Sequence, residues 1–146
     1  MRWLDSDAER RAQLEAHRDD ALVSAALPLR ANLSVLENIA LVPQVLLNLD
    51  EAAAVREALE LLARAGCEAS AHRRDAELGH EERFVAKVLR AAVGRPARIV
   101  IERPGLMLPD THYPPFVDSV LAVLADRLAE VLIMDYSWNR KLYPPQ

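Results

Sequence analysis

Two short, unbroken apolar runs, Ile99-Val100-Ile101 and Val131-Leu132-Ile133-Met134, flank one amphipathic segment, and that pattern leaves few ways for the chain to fold. Runs this short, without polar alternation, read as strands covered on both faces, as in parallel sheets. Between them Pro114 and Pro115 start a helix whose Phe116, Val117, Val120, Leu121, Leu124 and Leu128 face inward. Strand, helix and strand in one sheet imply a right-handed parallel crossover. Upstream, Ala21-Leu22-Val23-Ser24-Ala25-Ala26 lies between Asp20 and Pro28 and reads as a third buried strand. The class implied is α/β, with about three parallel strands.

The helices announce themselves by their ends. Ser6 with Glu9 forms a capping-box pattern and predicts a helix to about Arg18. Ser34 with Glu37 repeats it, opening a helix that Pro43 is expected to end. Asp50 caps a helix from Glu51 to Ala65, with Val55, Leu59 and Leu62 on one face and Gly66 as its stop. A further helix over Glu81 to Val93 carries the stripe Phe84, Val85, Val88, Leu89 and Ala92 before Gly94 and Pro96. With no linker or repeat, the expected organisation is a single domain, 1–146. It divides into an N-terminal helix and strand (1–30), a helical part (31–95) and a strand–helix–strand with its tail (96–146).

Composition excludes several functions. A chain of 146 residues, 51% apolar and 27% charged, can bury a real core. Its net charge of −4 arises from interleaved acids and bases, so bulk electrostatics attract neither nucleic acid nor an anionic membrane. One cysteine, Cys67, allows no internal disulfide and points to a cytoplasmic protein. The start Met1-Arg2-Trp3-Leu4-Asp5 is charged too early for a secretory signal, and no run reaches the roughly 18 apolar residues of a membrane span. Work at the inner membrane would therefore be peripheral, through a partner. Cys67, His72 and His80 match no zinc spacing, so no metal is expected, and Ser24 and Ser34 lack the histidine of a nucleophile motif. Met107, Met134 and the aromatics read as core or edge cover, and no cofactor is implied.

Two stretches carry a resemblance. Asn32-Leu33-Ser34-Val35-Leu36-Glu37-Asn38-Ile39-Ala40-Leu41 is similar to the string that ABC-transporter ATPases carry after their Q-loop. Residues 77–104 can be laid without a gap on the family's stretch from signature to Walker B. Over about residues 20–137 the chain thus resembles an ABC ATP-binding domain, and the resemblance implies a truncated P-loop NTPase-like core with a helical subdomain.

The family's chemistry is replaced at each matched position. No G-x-x-x-x-G-K-[ST] string exists, and on this frame the chain starts after the strand that would bear it. The Q-loop glutamine falls near Ala25, and the D-loop aspartate near Pro109. The degenerate signature is Gly79, His80, Glu81 and Glu82, where two carboxylates would repel a phosphate and favour their own helix start instead. The degenerate Walker B pair is Glu102 and Arg103, so a fixed cation stands where a catalytic base should be. Either this is an exposed ion pair, or Arg103 serves as an arginine finger toward a partner. The switch histidine corresponds to Tyr136.

These departures imply a non-enzyme: an inactive ABC ATPase-like subunit for assembly or regulation, partnered by an ABC ATPase, a permease subunit or itself. The alternatives are a contributor to a composite ATP site and a homodimeric relic or gene fragment. With the family's fourth strand lost, Val131 to Met134 would be an open edge, to be covered by the Trp138 to Tyr143 tail, a second copy or a partner strand. The last two are favoured because the tail's prolines cannot donate ladder hydrogen bonds.

Overall fold

A computed structural model describes residues 1–145. Four parallel strands, β1 (Arg2–Leu4), β2 (Ala21–Val23), β3 (Ile99–Glu102) and β4 (Val131–Tyr136), form one sheet in the order β1-β4-β3-β2. α1 (Asp7–Ala16) links β1 to β2; α2 (Val35–Leu46), α3 (Glu51–Arg64) and α4 (His80–Val93) link β2 to β3; α5 (Tyr113–Val123) links β3 to β4.

The sheet is buried on both faces because its strands alternate between two apolar clusters. Val23, Ile99 and Ile101 point to the large core that α2 to α5 close, while Leu4, Val100 and Met134 pack with Leu14 of α1. The α4 stripe is buried as expected, with Phe84 and Phe116 joining α4 to α5 at 6.0 Å between ring centroids. Burying one such side chain stabilises the fold by about 1.5–3 kcal/mol.

Four expectations need correction. β1 was not foreseen, and its register, Arg2 opposite Met134 and Leu4 opposite Tyr136, covers the C-terminal half of the β4 edge that was expected to be open. On that side Val131 to Ile133 have no strand partner among the described residues, so only the Met134 end of the expected edge is closed. The tail, Ser137–Leu142 as a 3₁₀ segment, does fold back, but onto β1: Tyr143 meets Trp3 edge-on at 5.1 Å and Arg140 lies 5.0 Å over the Trp3 ring. Third, Pro43 sits inside α2 rather than ending it. Ile39, Ala40 and Pro43 are buried there, and packing outweighs the one backbone hydrogen bond that proline removes. Fourth, Leu59 is exposed; α3 turns Ala54, Ala58, Leu61 and Leu62 inward, the two alanines small enough to let it lie close to α2.

The caps are formed as drawn from the sequence, with one shift. Ser34 and Glu37 exchange both hydrogen bonds. At α1, Ser6 Oγ accepts from the Glu9 amide, but Glu9 accepts from Asp5, one residue earlier than a capping box. Asp50 accepts from the Ala53 amide at 2.8 Å, and Gly66 takes φ +69° past the end of α3. Asp50→Ala is expected to lower stability by about 1 kcal/mol, read as a lower urea midpoint with unchanged slope.

Candidate functional site

In parallel sheets ligands gather at the carboxyl ends of the strands, where loops and helix starts converge. Two carboxylates lie there, and both are buried. Glu102 ends β3 and Asp135 is the penultimate residue of β4, with 0% and 1% exposure.

Glu102 is fully engaged. Ser24, just past β2, donates its hydroxyl to Oε2 at 2.6 Å, Arg103 Nε donates to Oε1, and the Arg10 guanidinium of α1 stands 3.7 Å from Oε1. Arg10 is shared with Asp7, which holds it at 2.7 Å and, with Glu102 behind it, keeps the guanidinium more firmly protonated. The pair is therefore not the exposed ion pair that a strand end suggested, because the sheet and α1 close over the carboxylate. Arg103 adopts a left-handed backbone, φ 46°, while its amide donates to the Met134 carbonyl at 2.8 Å. Its guanidinium lies 5.8 Å from the Tyr136 ring. Tyr136 closes β4 opposite Leu4 and stacks on Trp138 at 4.2 Å and 12°.

Asp135 collects four donors. The hydroxyls of Tyr113 and Tyr143 each reach Oδ2 at 2.8 Å; the Tyr136 amide and Asn139 Nδ2 reach Oδ1 at 2.8 and 3.0 Å. Burial, then these bonds to a carboxylate, push both tyrosines well above the usual phenol range. Gly105 is needed beside them, since a Cβ there would meet the Tyr113 ring at 2.8 Å.

A column of bases on α4 ties loops to this end of the sheet. Lys87, buried among apolar neighbours, donates to the Ser24 carbonyl at 3.1 Å; Arg90 donates to the Leu27 and Pro28 carbonyls at 2.9 and 2.8 Å. Desolvation, with Arg90 nearby, pulls the Lys87 ammonium below its ordinary value. Arg83 grips Asp75 and the Leu78 carbonyl, fixing the entry to α4. Ala25 lies exposed in the loop that this column pins.

The start of α4 is a separate place, joined to Glu102 by no hydrogen bond. Gly79 is its N-cap, and its amide donates to Glu82 Oε1 at 3.1 Å. Glu82 Oε2 accepts from Ser70 and Arg73, and the Ser70 bond first, then Gly79, hold its carboxyl below the usual range. Glu81 accepts from Thr111, and His80 is exposed. Pro109 sits in an exposed turn just before Thr111. Among the described residues no group of three or more His, Cys, Asp or Glu could hold a metal ion, and no helix is long and apolar enough to cross a membrane.

No family model matches the sequence, and no curated protein does. Among solved structures, a chain of a metal-chelate type ABC transporter in an inward-facing conformation matches with a TM-score of 0.76 at 14% identity. The chain shares its fold with an ABC transporter component. The match covers 94% of this chain and 63% of that one, so the chain spans less than two thirds of its neighbour's length. At this identity the likeness is one of fold.

Sequence reasoning missed Arg10, Lys87, Tyr113, Asp135 and Tyr143 and set Ser24 aside. Two signals were present. Asp135 follows an apolar strand at its carboxyl end, and Lys87 interrupts the inward stripe of α4 three residues after Phe84. A charge on an apolar face is buried with a partner or snorkels out, and Lys87 finds a partner.

Proposed function

We propose that this protein is a catalytically inactive, ABC ATPase-like subunit that serves the assembly or regulation of an ABC transporter system. The observation that carries the reading is the junction of β1 and α1. β1 pairs with β4 on the far side from β3, which is where the resembled family sets its phosphate-binding strand. Here only Asp5 and Ser6 separate strand from helix, too few residues to wrap a phosphate chain. The helix start is filled from within: Ser6 and Glu9 take the orphan amides, and Asp5, Asp7 and Glu9 bring three carboxylates to the place a phosphate would need. At an effective dielectric of 20, like charges 4 Å apart repel by about 4 kcal/mol.

The other parts support the same conclusion. Glu102, at the position of the magnesium aspartate, has its oxygens occupied by Ser24, Arg103 and Arg10, so internal cations stand where the family binds a metal ion. The loop through Ala25 is held down by Lys87 and Arg90, and the Gly79 amide is spent on Glu82 instead of a partner's phosphate. What persists is the scaffold, including the helical part 31–95, which in the family docks on the permease. Calorimetry with Mg-ATP is expected to show no heat above dilution; a micromolar dissociation constant would defeat the proposal. Co-purification from native cells is expected to bring an ABC permease or ATPase subunit with the tagged chain.

A further inference from the structure

Arg103, Gly105, Leu106, Tyr113, Tyr136 and Trp138 line, with Asp135 and Asn139, a half-open cleft of about 390 Å³ at the carboxyl ends of β3 and β4. That size and place suit a small ligand. Its apolar surface is already presented to solvent: Trp138 is 58% exposed although one face stacks on Tyr136, and Leu106 is 57% exposed. Nothing among the described residues covers either.

Hydrogen-bonding capacity decides the ligand's chemistry. The carboxylates are exhausted as acceptors, since Asp135 already receives four donors and the Glu102 oxygens are bound by Ser24 and Arg103. The donors are not. Arg103 spends only Nε on Glu102, and neither of its terminal nitrogens nor the Trp138 indole N–H meets an acceptor among the described residues. The bond from Nε to the buried Glu102 carboxylate holds the guanidinium at the cleft. A planar fork of free N–H groups beside an open aromatic face fits a carboxylate on a flat apolar body.

We propose that this cleft is a binding site for a small planar organic anion, its ring against Trp138 and its carboxylate on the terminal nitrogens of Arg103. The site needs no phosphate loop.

The test titrates the protein with 1-naphthoate, following the indole N–H resonances of Trp3 and Trp138 by NMR. At about 0.3 kcal/mol per heavy atom, the expected dissociation constant is on the order of 1 mM or tighter. The Trp138 resonance should shift saturably and that of Trp3 should stay. Trp138→Ala, an exposed change, should weaken binding by about tenfold when followed at the Asn139 amide, and Arg103→Lys, which keeps a cation for Glu102 but loses the fork, should weaken it as well. No saturable shift up to about 10 mM would overturn the proposal, being weaker than the bound above allows. Equal binding of 1-naphthylmethylammonium, or unchanged affinity in Trp138→Ala, would overturn it too.

Discussion

Asp135→Ala is expected to destabilise the protein by about 3–4 kcal/mol, the cost of removing one buried anion that organises four donors. Tyr113 would keep its place in the core with an unpaired hydroxyl, at about 1–3 kcal/mol. Tyr143 would lose the bond that holds the tail against Trp3 and β1. Urea unfolding of the variant should show a lower midpoint, and hydrogen exchange should be fastest in β1 and residues 137–143. Stability within about 0.5 kcal/mol of the parent would mean that the cluster contributes no more than its packing.

The same cluster sets the alkaline limit. Both phenols have folded-state pKa values raised above the ordinary value near 10, so the stability they confer is complete below that pH and is lost as pH rises past it. The unfolded chain sheds these protons first, and the slope is up to about 1.4 kcal/mol per pH unit for each tyrosine. Stability measured from pH 9 to 11.5, a range set by the ordinary phenol value of about 10, should therefore fall more steeply in the parent than in Tyr113→Phe or Tyr143→Phe.

Much of this architecture was legible because it is written in local signals. The β3–α5–β4 unit, the α4 stripe and the caps at Ser34 and Asp50 follow from periodicity and end chemistry. β1 was illegible for a physical reason. Three residues, one of them Arg2, have no period to detect, and their strand character comes entirely from pairing with β4 across 132 positions of sequence. The site was half legible. Glu102 and Arg103 drew attention through the resemblance, yet their burial depends on Arg10 and Ser24, which lie 92 and 78 residues away. The tail's role was hidden likewise, because Tyr143 gains its meaning only from a carboxylate that the fold brings to it.

Glu102→Ala is the second large effect expected, at about 3–5 kcal/mol, the range for breaking a buried ion pair by deleting one partner. Glu102 joins three elements at the strand ends: Ser24 after β2, Arg10 on α1, and its own neighbour Arg103. Its loss leaves two guanidiniums only 18% and 22% exposed, facing each other across an emptied site. Glu102→Gln isolates the charge. It keeps an oxygen for Ser24 and fills the volume, so its cost should be smaller, about half that of alanine, and the difference between the two measures the acceptor and the cavity together. Arg10→Met tests the reciprocal side. If Glu102 is held by internal cations, Arg10→Met combined with Glu102→Gln should cost less than the sum of the two single changes, with a coupling of about 0.5–3 kcal/mol. Strict additivity in urea unfolding would show that Arg10 does not neutralise Glu102, and would remove one support for reading this carboxylate as closed to metal.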